Sequence, residues 1–145
     1  MRREESAGTG TAVADAALTL VGIAFRLHGR EPASGLDCIG VIAAALRGAG
    51  WCGDVPSGYA LRGGDPDAVA SRFDAQLPRS DGRCAGDVLL FRVGVGQLHA
   101  AVRIADGIVH ADAMLRRVVA RPGQPDWPLV AAWRYRQHEQ RGRDG

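Results

Sequence analysis

The 145-residue chain contains no lysine; all 18 of its basic side chains are arginine, set against 16 acidic ones for a formal charge of +2. The arginines are scattered along the chain and form no single stripe, so a nucleic-acid surface is not expected. Cysteine is scarce as well. Cys38, Cys52 and Cys84 are widely spaced, with no Cys-x-x-Cys pair. An odd count of that kind excludes a complete disulfide framework and fits a reduced protein with at least one free thiol. Long apolar runs are missing. The first apolar stretch, from Ala12, is broken by Asp15, and no segment approaches the roughly 20 apolar residues of a membrane span. The expectation is a chain made in the cytoplasm without a signal peptide. Aromatic residues make up only 6% of the sequence. The apolar content is nonetheless 46%, a globular composition that gives one domain a proper core.

The stretch present that organises the rest is Gly35-Leu36-Asp37-Cys38-Ile39-Gly40, followed by the apolar run Val41-Ile42-Ala43-Ala44-Ala45-Leu46 and closed by Gly48-Ala49-Gly50. Its punctuation predicts a buried helix over about 38–48, with Cys38 at its first turn. A helix start offers unpaired N–H groups and the positive end of the dipole, which favour a thiolate. Cys38 is therefore a candidate nucleophile; alone, a cysteine before an Ala-rich helix is more often a small core residue.

Upstream, residues 1 to 10 are polar and read as a flexible terminus, and apolar spacing from Thr11 to about Gly22 predicts an amphipathic helix capped by Thr11. Residues 51 to 64 read as an irregular loop anchored by Trp51 and Tyr59. Asp65-Pro66-Asp67 opens a short helix running to about Gln76. The period then changes. Segments beginning at Asp87, Leu98, Gly107, Arg116 and Leu129 are short and β-rich, and Asp106-Gly107 is the best hairpin turn among them. Helices followed by an antiparallel sheet make the fold class α+β. One domain is expected over 11–136, with a flexible polar C-terminus at 137–145. Cys52 and Cys84 read as buried structural thiols.

The hairpin places His99 near His110 to within a few residues. A base and a second polar group that orients it are what a cysteine nucleophile requires. A zinc site built from Cys38, His99 and His110 is the competing reading, and it lacks the usual close-spaced ligand pair.

Taken together, Phe25-Arg26-Leu27-His28-Gly29-Arg30, Gly35-Leu36-Asp37-Cys38-Ile39-Gly40, Gly86-Asp87-Val88-Leu89-Leu90-Phe91, Leu98-His99-Ala100-Ala101-Val102, Ile108-Val109-His110-Ala111 and Ala131-Ala132-Trp133-Arg134-Tyr135 resemble the NlpC-type cell-wall cysteine peptidases. These are papain-like enzymes of bacteria and phages. The likeness spans about residues 11–136 and leans to the branch found in phage tails and gene transfer agents. It implies a papain-like fold and a metal-free peptidase acting on the peptidoglycan stem peptide, often at the bond between D-glutamate and a diamino acid. It implies no cofactor, phage-like tail or hub proteins as partners, and action at the cell wall. Cys38 would be the nucleophile, His99 the base and His110 its orienting partner, with Asp37 fixing the turn. Two positions depart from the pattern. Ile39 stands where many members carry Ser. Phe25, which has no donor, or Arg26 stands where many carry a Tyr that stabilises the oxyanion, leaving Arg26 or His28 to replace it. Arg26, Arg30 and Arg62 are candidates for a substrate carboxylate. A tail component with a degenerate site, or an amidase or acyltransferase on another substrate, are the alternative readings.

Overall fold

The computed structural model describes residues 2–54 and 64–136, with side chains from residue 8 onward. Tyr59, Arg62 and the expected C-terminal tail lie outside the described residues. The first helix, α1 (Arg2–Leu18), begins earlier and ends earlier than its apolar spacing suggests. Arg and Glu in its first turns are good helix formers, whereas Gly8, Thr9 and Gly10 are not; Gly10 lets the helix pack closely on the backbone at Ala85, since a Cβ there would lie 2.4 Å from the Ala85 carbonyl oxygen. Val13, Ala14 and Ala17 bury its inner face.

A two-stranded ribbon, β1 (Arg30–Glu31) and β2 (Gly35–Leu36), leads directly into α2 (Cys38–Gly48). Asp37 caps α2: its backbone is extended and its Oδ1 accepts the Gly40 N–H at 2.8 Å. This satisfies a first-turn donor that has no helical partner. Eight of the helix's eleven residues are buried, so α2 forms the centre of the core, packed on α1 and on the sheet. Helix α3 (Pro66–Asp74) starts at the cap Asp65, with Pro66 in the first turn as its sequence indicates.

Five antiparallel strands follow: β3 (Val88–Gly94), β4 (Gln97–Ile104), β5 (Gly107–Asp112), β6 (Arg117–Pro122) and β7 (Leu129–Trp133), in the order β6-β5-β4-β3-β7. Alternation sorts the two faces. Leu90, Leu98, Ala100, Val102, Val109 and Ala111 join the helices in the main core. The opposite face carries Leu89, Phe91, Ala101 and Ile108, with Trp127 packed over them. The β4–β5 turn is displaced by one residue from the expected one. Ile104 pairs with Gly107, so the turn is Ala105-Asp106. Gly107 is required for another reason: a Cβ there would sit 2.0 Å from the Arg121 carbonyl oxygen on β6.

Close approach also sets the mouth of α2. A Cβ on Gly40 would lie 2.2 Å from the Gly29 carbonyl oxygen, a backbone atom that cannot swing aside. Ala is the better helix former by about 1 kcal/mol, yet overpacking typically costs about 1–3 kcal/mol. Gly40→Ala is therefore expected to lower the urea midpoint and to push the 28–30 segment off the start of α2. A raised midpoint would contradict this packing.

Candidate active site

Cys38 is the first residue of α2 and is buried. Backbone N–H groups of Ile39, on its own helix, and of Ala100, on β4, hydrogen-bond its thiol. Ala100 is the residue after His99, so α2 is docked with its nucleophile candidate against the strand that carries the candidate base. The β4–β5 ladder explains the opening at this point. Its pairing stops at Val102 opposite Val109, while β5 continues in register with β6 as far as Asp112. Beyond Val102 the two strands part, and side chains bridge the gap.

That bridge is the histidine pair. His99 Nε2 lies 2.8 Å from His110 Nδ1, with the rings nearly perpendicular. Each follows from β alternation, since His99 and Ala101 share a face of β4 and His110 and Ile108 share the same face of β5, the face turned away from α2 and Cys38. The expected meeting of the two imidazoles is thus present. With Nε2 engaged, Nδ1 of His99 is the nitrogen left to take a proton. For that role neutral His99 carries its hydrogen on Nε2 and donates it to His110 Nδ1. In this resting arrangement the thiol takes its hydrogen bonds from backbone, and among the described residues none joins Cys38 to either imidazole.

The electrostatics revise the expected thiolate. Burial pushes the Cys38 thiol up to about 12, helped by the neighbouring Asp37 carboxylate and only partly opposed by the Ala100 and Ile39 N–H groups and by Arg30. Loss of solvation here outweighs the helix start. Burial also pushes His99 down to about 4, with repulsion from His110 adding to it and Asp112 opposing it. His110 is lowered too, by burial first; Asp112 again opposes and Arg121 reinforces. The resting pair is therefore a neutral thiol and a neutral imidazole, and neither group charges alone.

A pH profile follows from these shifts. His99 accepts a proton only when neutral, which holds above about 4, and Cys38 keeps its proton up to about 12. For any hydrolysis that runs through this pair, kcat/KM is expected to fall on the acid side near pH 4 and to stay flat through pH 9. An acid limb at the ordinary imidazole value of about 6.5, or a fall at the ordinary thiol value near 8.5, would contradict the neutral pair.

Asp37 is fully occupied in shaping the loop before the nucleophile. Besides capping α2, its Oδ2 accepts the His28 N–H at 3.1 Å and its Oδ1 accepts Arg30 Nη1 at 2.6 Å. Arg30 Nη1 also donates to the Gly29 carbonyl. That nitrogen braces the cap, which removes it from the set suggested for a substrate carboxylate. His28 takes a positive φ of 61° and is exposed, as is Arg26. Both lie on the segment leading to Cys38, and neither side chain is drawn into the histidine pair.

Cys52 and Cys84 are exposed, contrary to their expected burial. Cys52 follows the turn that ends α2, its thiol reaching the Gly50 carbonyl; Cys84 lies in the loop before β3. Among the described residues, the one group of three metal-ligand types with donor atoms within 4.8 Å of one another is Asp81, Cys84 and Asp87. Cys38, His99 and His110 do not close to that distance as a zinc cage would. Arg134 already occupies both carboxylates of the Asp81–Asp87 group.

Sequence reasoning misses Trp127. It lies in the 123–128 connection between β6 and β7, yet its indole packs edge-on to both imidazoles. A single aromatic in the Pro-rich stretch Gln124-Pro125-Asp126-Trp127-Pro128 carries no period that would assign it to a site.

No protein-family model matches the chain. A probable endopeptidase of Mycobacterium tuberculosis is 34% identical over 129 residues, which is 88% of this chain and 30% of that protein's length. A probable endopeptidase of Mycobacterium bovis matches to the same extent. Among solved structures, the NlpC/p60 domain of the peptidoglycan hydrolase SagA aligns with a TM-score of 0.62 at 21% identity, covering 87% of this chain and 98% of that one. NlpC1 of Trichomonas vaginalis aligns at 0.65 and 19% identity, over 87% of this chain and 44% of its own. The peptidoglycan hydrolase RipB of Mycobacterium tuberculosis gives 0.57 and 17%, over 92% and 68%. The α+β architecture described above is the fold of these NlpC/p60 domains.

Proposed function

We propose that the chain is a peptidoglycan hydrolase, a cysteine endopeptidase that cuts an amide bond of the stem peptide. The observation that carries this reading is a buried cysteine at a helix start, hydrogen-bonded by the residue after His99, whose ring is tied to His110. The 34% likeness to mycobacterial proteins described as probable endopeptidases supports it, as does a fold shared with the NlpC/p60 domain of a peptidoglycan hydrolase.

The chemistry needs only this chain's groups. Cys38 Sγ attacks the scissile carbonyl carbon and its proton is passed to His99 Nδ1, a transfer that requires the imidazole to come round the edge where β4 and β5 stop pairing, and a tetrahedral oxyanion forms. The Cys38 N–H, in the first turn of α2 without a helical acceptor, is a donor for that oxygen. His110 then holds the positive charge on His99 through the 2.8 Å bond. Collapse breaks the C–N bond, His99 returns its proton to the departing amine, and a thioester remains on Cys38. Water attacks the thioester with His99 again taking a proton, and the free acid and the thiol are released.

The bond is assigned to the junction of D-glutamate and the diamino acid, and the setting to a phage-like tail made in the cytoplasm and delivered to the wall. Both assignments come from the sequence motifs shared with the phage-tail and gene-transfer-agent branch. The peptidase unit is the domain proposed over 11–136 with the first turns of α1 added. Digestion of diaminopimelate-type peptidoglycan followed by mass spectrometry of the fragments tests the bond. Fragments ending at D-glutamate are expected; cleavage at the lactyl amide would make the enzyme an amidase. Mass spectrometry of purified tail particles from the native host should find the chain, and its absence there would remove the tail setting.

A further inference from the structure

We propose that Trp127 is a positioning residue of this site, its indole holding the His99 and His110 rings in their hydrogen-bonded arrangement and keeping water from that bond. The proposal deepens the peptidase reading and rests on it.

Four contacts fix the indole. Its centroid lies 5.5 Å from that of His99 at an interplanar angle of 83°, and 5.9 Å from that of His110 at 77°. Phe91 meets it edge-on at 5.6 Å, and the Arg121 guanidinium sits 4.8 Å from the ring centroid. Edge-to-face contacts at these separations favour one relative orientation of the rings. Two of them converge on imidazoles whose strands no longer pair with each other beyond Val102, although β3 still holds His99 opposite Phe91 and β6 holds His110 opposite Val119. The indole thus adds a restraint between two rings that no direct strand pairing ties together.

Water exclusion follows from its other contacts. Trp127 also lines a cavity of about 650 Å³ bounded by Arg92, Gln97, Leu98 and Asp126. Neither histidine lines that cavity, so the indole is common to the histidine pair and to the open space beside it. Removing the ring would open a way for water to the Nε2···Nδ1 bond. The charged groups that act on the imidazoles are Asp112 on β5, which favours their protonation, and Arg121 on β6, which disfavours that of His110. Arg121 reaches Trp127 directly, so indole and guanidinium form one cover over the pair.

The test reads the imidazoles themselves, without substrate. In histidine-labelled protein, NMR titration of Trp127→Ala is expected to move both rings up toward the ordinary value of about 6.5. Trp127→Phe, which restores an aromatic edge, should bring them most of the way back. The acid limb of kcat/KM should move with them. Unchanged titrations in folded Trp127→Ala would overturn the proposal. The unmodified protein provides a check that needs no variant to fold: a slowly exchanging His99 Nε2–H signal at neutral pH is expected from a shielded bond, and a signal lost to rapid exchange would overturn it. Low-titrating, shielded imidazoles in a protein that cleaves no stem peptide would remove the substrate assignment and leave the positioning role standing.

Discussion

Cys38→Ala is expected to abolish stem-peptide cleavage, lowering kcat by on the order of 10⁶-fold, the scale seen when a covalent nucleophile is lost. In the proposed reaction the thiol supplies the bond to the acyl group, and Cys52 and Cys84 are not expected to stand in for it, because both lie outside the α2–β4 contact. His99→Ala removes the proton acceptor and is expected to cost about 10²–10⁴-fold, the usual reach of general acid–base catalysis. The two losses should not multiply in the double variant, since each residue acts only with the other. His110→Asn separates orientation from charge. An amide oxygen still accepts the His99 Nε2–H, so this variant should retain more activity than His110→Ala. Steady-state kinetics on a soluble stem peptide measures all five. A Cys38→Ala protein that still turns over would contradict the assignment of the nucleophile.

The largest stability effect is expected far from that chemistry, at Asp87. This carboxylate is completely buried and receives two bonds from Arg134: Nε to Oδ1 at 2.8 Å and Nη2 to Oδ2 at 2.9 Å. The Cys84 N–H donates to Oδ2 as well. Asp87, by its hydrogen bond and charge, holds the Arg134 guanidinium more firmly protonated than usual. The pair ties the residue before β3 to the residue after β7, which are neighbours in the sheet. Removing one partner leaves the other charge stranded, a loss of about 3–5 kcal/mol in buried pairs. Native stabilities are only about 5–15 kcal/mol. Asp87→Ala is therefore expected to unfold at a much lower denaturant concentration, with the sheet signal lost in the same transition. A loss below about 1 kcal/mol would mean that the exposed Asp81, also bonded to Arg134 at 3.1 Å, carries the charge on its own.

What was legible in the sequence was what local rules encode. Asp37 before an unbroken apolar run, closed by Gly48-Ala49-Gly50, specifies α2 and the place of Cys38 within a residue. Short β-rich segments with glycine between them specify the strands, and the hairpin between β4 and β5 brings His99 to His110. The misses have physical reasons. Gly107 is indistinguishable in sequence from a turn glycine, and only the neighbouring Arg121 carbonyl shows why it is glycine. The start of α1 is missed because Gly8, Thr9 and Gly10 read as a break, whereas in the folded chain Gly10 packs closely on the Ala85 carbonyl. Arg30 reads as a free cation until the β1–β2 ribbon folds it back on Asp37, seven residues on. The resting state of Cys38 is misjudged because the dipole argument uses the helix alone, whereas the thiol's environment includes the core into which α2 is packed. Trp127 reaches the imidazoles across strands that pair only in the folded chain.

The most direct measurement is capture of the covalent intermediate. Protein mixed with diaminopimelate-type stem peptide is quenched in acid at early times, digested, and examined by mass spectrometry for an acyl adduct. The account predicts an adduct on the peptide that contains Cys38, absent from Cys52 and Cys84, with a mass that identifies the acyl half of the cleaved bond. Turnover without an adduct on Cys38, or an adduct on another cysteine, would contradict it.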